Sequence, residues 1–191
     1  MNELVAYFKN KISISDELEK EMNEIIYEKK LVKGEIVLSE NSIKKEHIFV
    51  ASGCLRSFYK AENGKEYTIQ FAVKNWWIGD YITFYTNDNS VLTIESLTNS
   101  KILLLNKVKA EKFYKKYPQL ENLQRKNFEK RIATLQKRIL SLLTLSATEK
   151  YQQFIDDYAM FEKVIPNYQI ASFLGITPES LSRVRKENSK G

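Results

Sequence analysis

NYQIASFLGITPESLSRVRKE, residues 167–187, carries start and stop signals for two helices within one short segment. Apolar residues recur at helical spacing on both sides of a break, at Ile170, Phe173 and Leu174 before it and at Leu181 and Val184 after it. The break is Gly175, a residue free to take the left-handed conformation that ends a helix, followed by Ile176 and then Thr177-Pro178. Thr177 is placed to cap the next helix. Pro178 falls at its first position, where a missing N–H is harmless, and Glu179 sets a negative charge against the positive end of the helix dipole. The small Ala171 lets the second helix cross the first closely. A helix, a tight glycine turn and a second helix of this size make a helix-turn-helix motif.

Around that segment the chain reads as ordinary globular protein, with 191 residues, 43% hydrophobic and 28% charged. It contains no apolar run of membrane-spanning length, and MNELVAYFKN lacks the apolar core of a signal peptide, so a cytoplasmic protein without membrane contact is expected. One cysteine, Cys54, excludes an intramolecular disulfide framework and an iron–sulfur cluster held by the chain's own thiolates; a small residue buried in a strand is the expected role. The net charge of +6 is uneven. Residues 107–150 hold twelve Lys/Arg against four Glu, which suits either a polyanionic partner or a solvated basic helix.

Three textures follow one another. Residues 14–30 read as a helix capped by Ser15, with Leu18, Met22, Ile25 and Ile26 on one face. From Leu31 to about Leu105, short runs such as GEIVLSE, HIFVASGCLRSFYK, KEYTIQFAV and SKILLLN alternate with turns, predicting seven or eight strands in a sandwich or roll. Asn63-Gly64 marks a hairpin. Helical texture returns at Asn106 and runs to about Leu145, broken near Tyr117-Pro118. Within it Phe128, Ile132, Leu135, Ile139 and Leu142 follow steps of four, three, four and three, the seam of two paired helices or the buried stripe of one helix on its own domain. Ser146 with Glu149 resembles a capping box opening a further helix that carries Tyr151, Phe154, Ile155 and Tyr158.

A β-roll, a long seam helix and a C-terminal helix-turn-helix together resemble the Crp/Fnr family of bacterial transcription regulators over essentially the whole chain. IASFLGITPESLSRVRKE is similar to the family's DNA-reading segment, and KGEIVLSEN and WWIGDYITF, with Gly79-Asp80, are similar to its nucleotide pocket. The resemblance implies an α+β fold: an N-terminal β-roll of jelly-roll, cyclic-nucleotide-binding-like type (1–106), a long dimerisation helix (107–145) and a C-terminal winged-type helix-turn-helix (146–191). It implies a homodimer, double-stranded DNA as partner, RNA polymerase as a further partner and a small-molecule effector of unknown identity. With the chain ending at Gly191, a minimal wing is expected, drawn from residues near 161–166.

Carried over residue by residue, the recognition helix is Pro178 to Lys186, with Thr177, Pro178, Glu179, Ser180, Ser182, Arg183 and Lys186 as DNA-binding candidates. Arg183 suits a bidentate contact to guanine and Glu179 accepts from cytosine, while Ser180 and Ser182 suit phosphate or a base edge. Pro178 departs from relatives that carry arginine there, so their specificity does not transfer. In the roll, Trp77, Gly79, Asp80 and Tyr81 are the pocket candidates. Relatives that bind cyclic nucleotides place an arginine roughly ten residues after the Gly-Glu, whereas residues 80–100 here contain no Lys or Arg and two aspartates, Asp80 and Asp88. Cyclic AMP is therefore not expected to bind, and core packing is the favoured role of Trp76, Trp77, Tyr81, Phe84 and Tyr85. His47 is the sole histidine, no metal cluster is legible and no nucleophile–base pair or phosphate loop is present, so neither a cofactor nor catalysis is expected. The alternative function is a ligand-binding signalling module whose helical tail contacts protein instead of DNA.

Overall fold

The computed structural model describes residues 2–86 and 88–188, which divide into two compact units: residues 2–60 with 69–86 and 88–121, and residues 61–68 with 122–188. The first opens with two short helices, α1 (Glu3–Lys9) and α2 (Asp16–Ile25), the second capped by the Ser15 hydroxyl, which accepts from the Leu18 N–H. The expected helix over 14–30 runs five residues too far at its C-terminal end. Ile26 ends α2 and begins strand β1 (Ile26–Leu31), because Ile25-Ile26-Tyr27 is β-branched and aromatic and a neighbouring strand pairs with it from Ile26↔Leu105 to Leu31↔Ser100.

The remaining strands are β2 (Ile36–Leu38), β3 (Glu46–Ser52), β4 (Cys54–Lys60), β5 (Glu66–Val73), β6 (Trp77–Ile78), β7 (Thr93–Ser96) and β8 (Ser100–Asn106). They form two four-stranded antiparallel sheets, ordered β1-β8-β3-β6 and β2-β7-β4-β5. HIFVASGCLRSFYK, continuous as a sequence, supplies two strands in different sheets. The chain switches sheets at Gly53, where φ is +88° and an added Cβ would sit 2.1 Å from the Ser100 hydroxyl oxygen. Between the sheets lies a core of Leu31, Val37, Ile48, Val50, Leu55, Ile94 and Ile102 with their neighbours. WWIGDYITF gives β6 followed by the short helix α3 (Tyr81–Thr86). α4 (Lys107–Lys116), capped by Asn106, closes the unit.

The helical texture is interrupted at Tyr117, as expected, and α5 (Pro118–Thr144) runs for 27 residues. In the second unit α6 (Ala147–Tyr158) starts from a complete Ser146–Glu149 capping box, and α7 (Asn167–Leu174) and α8 (Pro178–Asn188) form the helix-turn-helix. Residues 159–164 form successive turns, and no strand occurs between 146 and 188 among the described residues. The tip of the β4–β5 hairpin, Ala61–Thr68, belongs to this second unit.

Candidate nucleic-acid interface and effector pocket

The turn between α7 and α8 is built as its residues dictate. Gly175 takes the left-handed conformation at φ +65°, its N–H bonding back to α7, and the Thr177 hydroxyl accepts from the Ser180 N–H 3.2 Å away to start α8. Leu181 and Val184 are buried on the inner face of α8 and meet a core of Ile170, Ala171, Leu174, Tyr151, Phe154 and Ile165 in the same unit. That fixes which face points outward. Thr177, Pro178, Glu179, Ser182, Arg183 and Lys186 are exposed and Ser180 is half-buried; Glu179, Ser182, Arg183 and Lys186 share the side opposite Leu181 and Val184, while Thr177 and Ser180 sit at the helix start. The Glu179 carboxyl is held below its usual range by backbone hydrogen bonding at the helix start and by Thr177, keeping it an anion and an acceptor.

Arg185, one residue from the candidates, serves the opposite purpose. Its guanidinium pairs with Glu162, donates to the Asn167 side chain and lies 5.7 Å from the Tyr151 ring centre, while Tyr151 donates to the same Glu162 carboxylate at 2.8 Å. This network fastens α8 to α6 and the preceding turn. A second arginine, Arg138 of α5, donates from Nη2 to the Thr68 and Phe173 carbonyls, 3.1 Å each, and lies 4.2 Å from the Phe173 ring centre. Ser172 accepts from the Thr68 N–H and donates to the Glu66 carbonyl, 2.9 Å each. Sequence reading assigned neither residue a role; the hairpin that meets them is distant in the chain.

Other basic residues of 107–150 are also engaged internally. Lys107 donates to the Phe84 carbonyl, Lys116 pairs with Glu21 and Glu17, Arg125 with Glu129, and Lys150 reaches the Leu142 carbonyl. The charge excess of this segment is thus partly structural. Along α5 the seam residues remain open to solvent in the single chain: Ile132 is 57% exposed and Ile139 56%, with Leu135 and Leu142 near 38% and Phe128 half-buried. Leu140 and Leu143 extend this apolar surface at 60% and 77%, and the spacing argument had not included them. Leu142 also packs on the helix-turn-helix, where its Cδ2 would be 3.0 Å from a Cβ placed on Gly175.

In the roll, Gly79, Asp80 and Tyr81 line a small cavity with His47, Ile48 and Phe84, and its free volume is about 10 Å³, room for one water. Trp77 lies in a ring cluster, 5.1 Å from Phe49 and 6.0 Å from His47. The Asp80 carboxylate, 5% exposed, is fully occupied by its own chain. One oxygen accepts from the Ile82 and Thr83 N–H groups, and the other from the Thr83 and Ser90 hydroxyls and the Val91 N–H. A buried cation of this unit lies outside residues 80–100: Arg56, 1% exposed, donates to Glu95 on the paired strand at 2.7–2.8 Å and stacks 4.1 Å from the Phe58 ring centre, while Lys44, which lines the cavity, donates to the Val37 carbonyl at 2.7 Å. Burial, and then the charge of Lys107, pulls the His47 pKa down to about 4, and burial pushes the Cys54 thiol up to about 12. Among the described residues no group of three metal-binding side chains comes together, and no helix is long and apolar enough to cross a membrane.

Residues 28–117 match the cyclic nucleotide-binding domain family. No curated protein sequence matches the chain significantly. Among solved structures, FixK2 from Bradyrhizobium japonicum aligns with a TM-score of 0.75 at 16% identity, covering 87% of this chain and 85% of its own. CooA from Carboxydothermus hydrogenoformans, in a mutant form, aligns at 0.70 and 19% identity over 95% and 82%, and the c-di-GMP responsive global regulator CLP of Xanthomonas campestris at 0.70 and 12% over 90% of each chain. With residues 28–117 matching the cyclic nucleotide-binding domain family and nearly the whole chain aligning with these structures, the chain has the Crp/Fnr-like fold.

Proposed function

We propose that this protein is a homodimeric transcription regulator that binds duplex DNA through α8, with a diverged roll that does not take cyclic AMP. The observation that carries the reading is the division of α8 into a buried side, Leu181 and Val184, and an exposed polar side with Glu179, Ser182 and Arg183. Small polar residues and one arginine at the start of an exposed helix suit a major groove, where Arg reads guanine and Glu reads cytosine. An apolar protein interface would need larger hydrophobic groups there. FixK2, CooA and CLP share the fold, and CLP is a global regulator responsive to c-di-GMP, which supports a regulatory role for this scaffold.

Dimerisation is supported by the apolar stripe of α5, which lies exposed in the single chain and is continuous with the exposed Leu140 and Leu143. Loss of cyclic AMP recognition is supported by three features of the roll. The cavity beside Gly79 has room for one water, Asp80 occupies the hydroxyl and N–H donors of Ser90 and Val91, and Arg56 is already neutralised by Glu95. Fluorescence anisotropy with a labelled duplex selected by the protein tests the reading. Arg183→Ala is expected to weaken specific binding by about 1–3 kcal/mol and to relax preference at one base pair per half-site. Unchanged affinity and preference would remove α8 as the reading element.

A further inference from the structure

The β4–β5 hairpin contributes its tip, Ala61–Thr68, to the unit that holds the helix-turn-helix, while the rest of both strands belongs to the other unit. The tip is shaped by its own signals: Gly64 at φ +81°, its N–H donating to the Ala61 carbonyl, and the Lys65 N–H donating to the Asn63 side chain. Its contact with α7 is specific. The Ser172 hydroxyl takes the place of a missing strand partner, accepting from the Thr68 N–H and donating to the Glu66 carbonyl, as a paired strand residue would. At the same Thr68, Arg138 of α5 bonds the Thr68 carbonyl and the Phe173 carbonyl with one nitrogen and stacks on the Phe173 ring. Phe173 in turn packs against Phe154 and Tyr158 of α6.

We propose that Ser172 and Arg138 form a latch on the hairpin tip that sets the presentation of α8, making both of them positioning residues for DNA recognition. Three elements meet at the latch: α5 through Arg138, the reading head through Ser172 and Phe173, and the hairpin through Glu66 and Thr68. The same tip borders the reading helix. Gly64, Lys65 and Glu66 line a cleft of about 370 Å³ whose other wall includes Ile176, Thr177 and Pro178. α7 carries α8 through one turn, Gly175 to Thr177, so a shift of α7 moves every base-reading side chain together. Base readout depends on the placement of hydrogen-bonding groups, whereas phosphate attraction depends mainly on charge. The latch therefore acts on specific binding and leaves non-specific binding nearly unchanged. Neither residue need touch DNA.

The inference rests on the proposed DNA-binding function, and the test separates the two. Wild type, Ser172→Ala, Arg138→Gln and Arg138→Lys are compared on the duplex selected by wild type and on a scrambled duplex, across a salt series. In parallel, hydrogen exchange reports the Thr68 amide without any DNA. If wild type selects no duplex, the DNA-binding reading fails, while exchange at Thr68 still tests the latch contact. With DNA binding intact, Ser172→Ala and Arg138→Gln are expected to lower specific affinity by about tenfold, a shift of about 1.4 kcal/mol, with the scrambled duplex and the salt slope unchanged. Thr68 exchange should rise in Ser172→Ala. Arg138→Lys should fail to rescue, because an ammonium lacks the planar face that stacks on Phe173. The proposal is overturned if Arg138→Lys restores wild-type binding, if affinity for both duplexes falls equally with a shallower salt slope, or if Ser172→Ala leaves both Thr68 exchange and specific affinity as in wild type.

Discussion

Arg183 and Arg185 stand two positions apart on one helix and have opposite surroundings, solvent for the first and Glu162, Asn167 and Tyr151 for the second. Their identities alone do not distinguish them; helical phase does, since Leu181 and Val184 mark the buried side. Arg185→Ala should therefore lower the stability of the helix-turn-helix unit without altering base preference, the reverse of Arg183→Ala, as thermal unfolding and binding together would show. Asp80 was legible as a pocket residue, yet its role depends on Ser90 and Val91, ten residues on, which only the fold brings within reach. Asp80→Ala leaves its donors without their acceptor and is expected to destabilise the protein by on the order of 3 kcal/mol in urea unfolding. His47 gives a signed pH dependence. Its folded pKa of about 4 lies below the unfolded value of 6.5, so between these values the unfolded chain binds the extra proton. Stability from this group falls as pH drops through that window, by up to roughly 1 kcal/mol per pH unit. Urea midpoints at pH 4.5 and 7 should show a smaller loss for His47→Leu than for wild type, and equal losses would mean that His47 takes up its proton in the fold as readily as in the unfolded chain.

At the scale of elements, local chemistry and tertiary pairing divide the outcome. Helix starts at Ser15, Ser146 and Thr177 and the stop at Gly175 stand where the side chains place them, because capping bonds span only three residues. The end of α2 was not legible: Ile26 continues a helical stripe, but pairing with Leu105, far along the chain, draws it into a strand. The split of HIFVASGCLRSFYK at Gly53 was hidden for the same reason, since only the closeness of Ser100 shows why the chain must turn there. The long helix α5 was readable as a stripe, but its link to the helix-turn-helix through Leu142 and Arg138 was not. Ile132→Asp with Ile139→Asp would place four like charges along a paired seam and should give a monomer by light scattering, with weakened DNA binding. A double variant that remains dimeric would place the dimer contact elsewhere.

For the whole molecule, the proposed account joins a packed roll, an exposed helical seam and a reading head. The roll's sequence matches a cyclic nucleotide-binding domain, yet Asp80 and Arg56 are each satisfied from within the protein. Titration calorimetry with cyclic AMP and cyclic GMP should accordingly show no micromolar binding. A two-fold dimer built on α5 would present two copies of α8 to successive major grooves, about 34 Å apart, and would demand a matching symmetry in the DNA. Selection from a random duplex library at moderate salt measures that directly. The account predicts an enriched imperfect palindrome whose half-sites lie one helical turn apart and whose enrichment is lost in Arg183→Ala. A library that yields no enriched motif would contradict it.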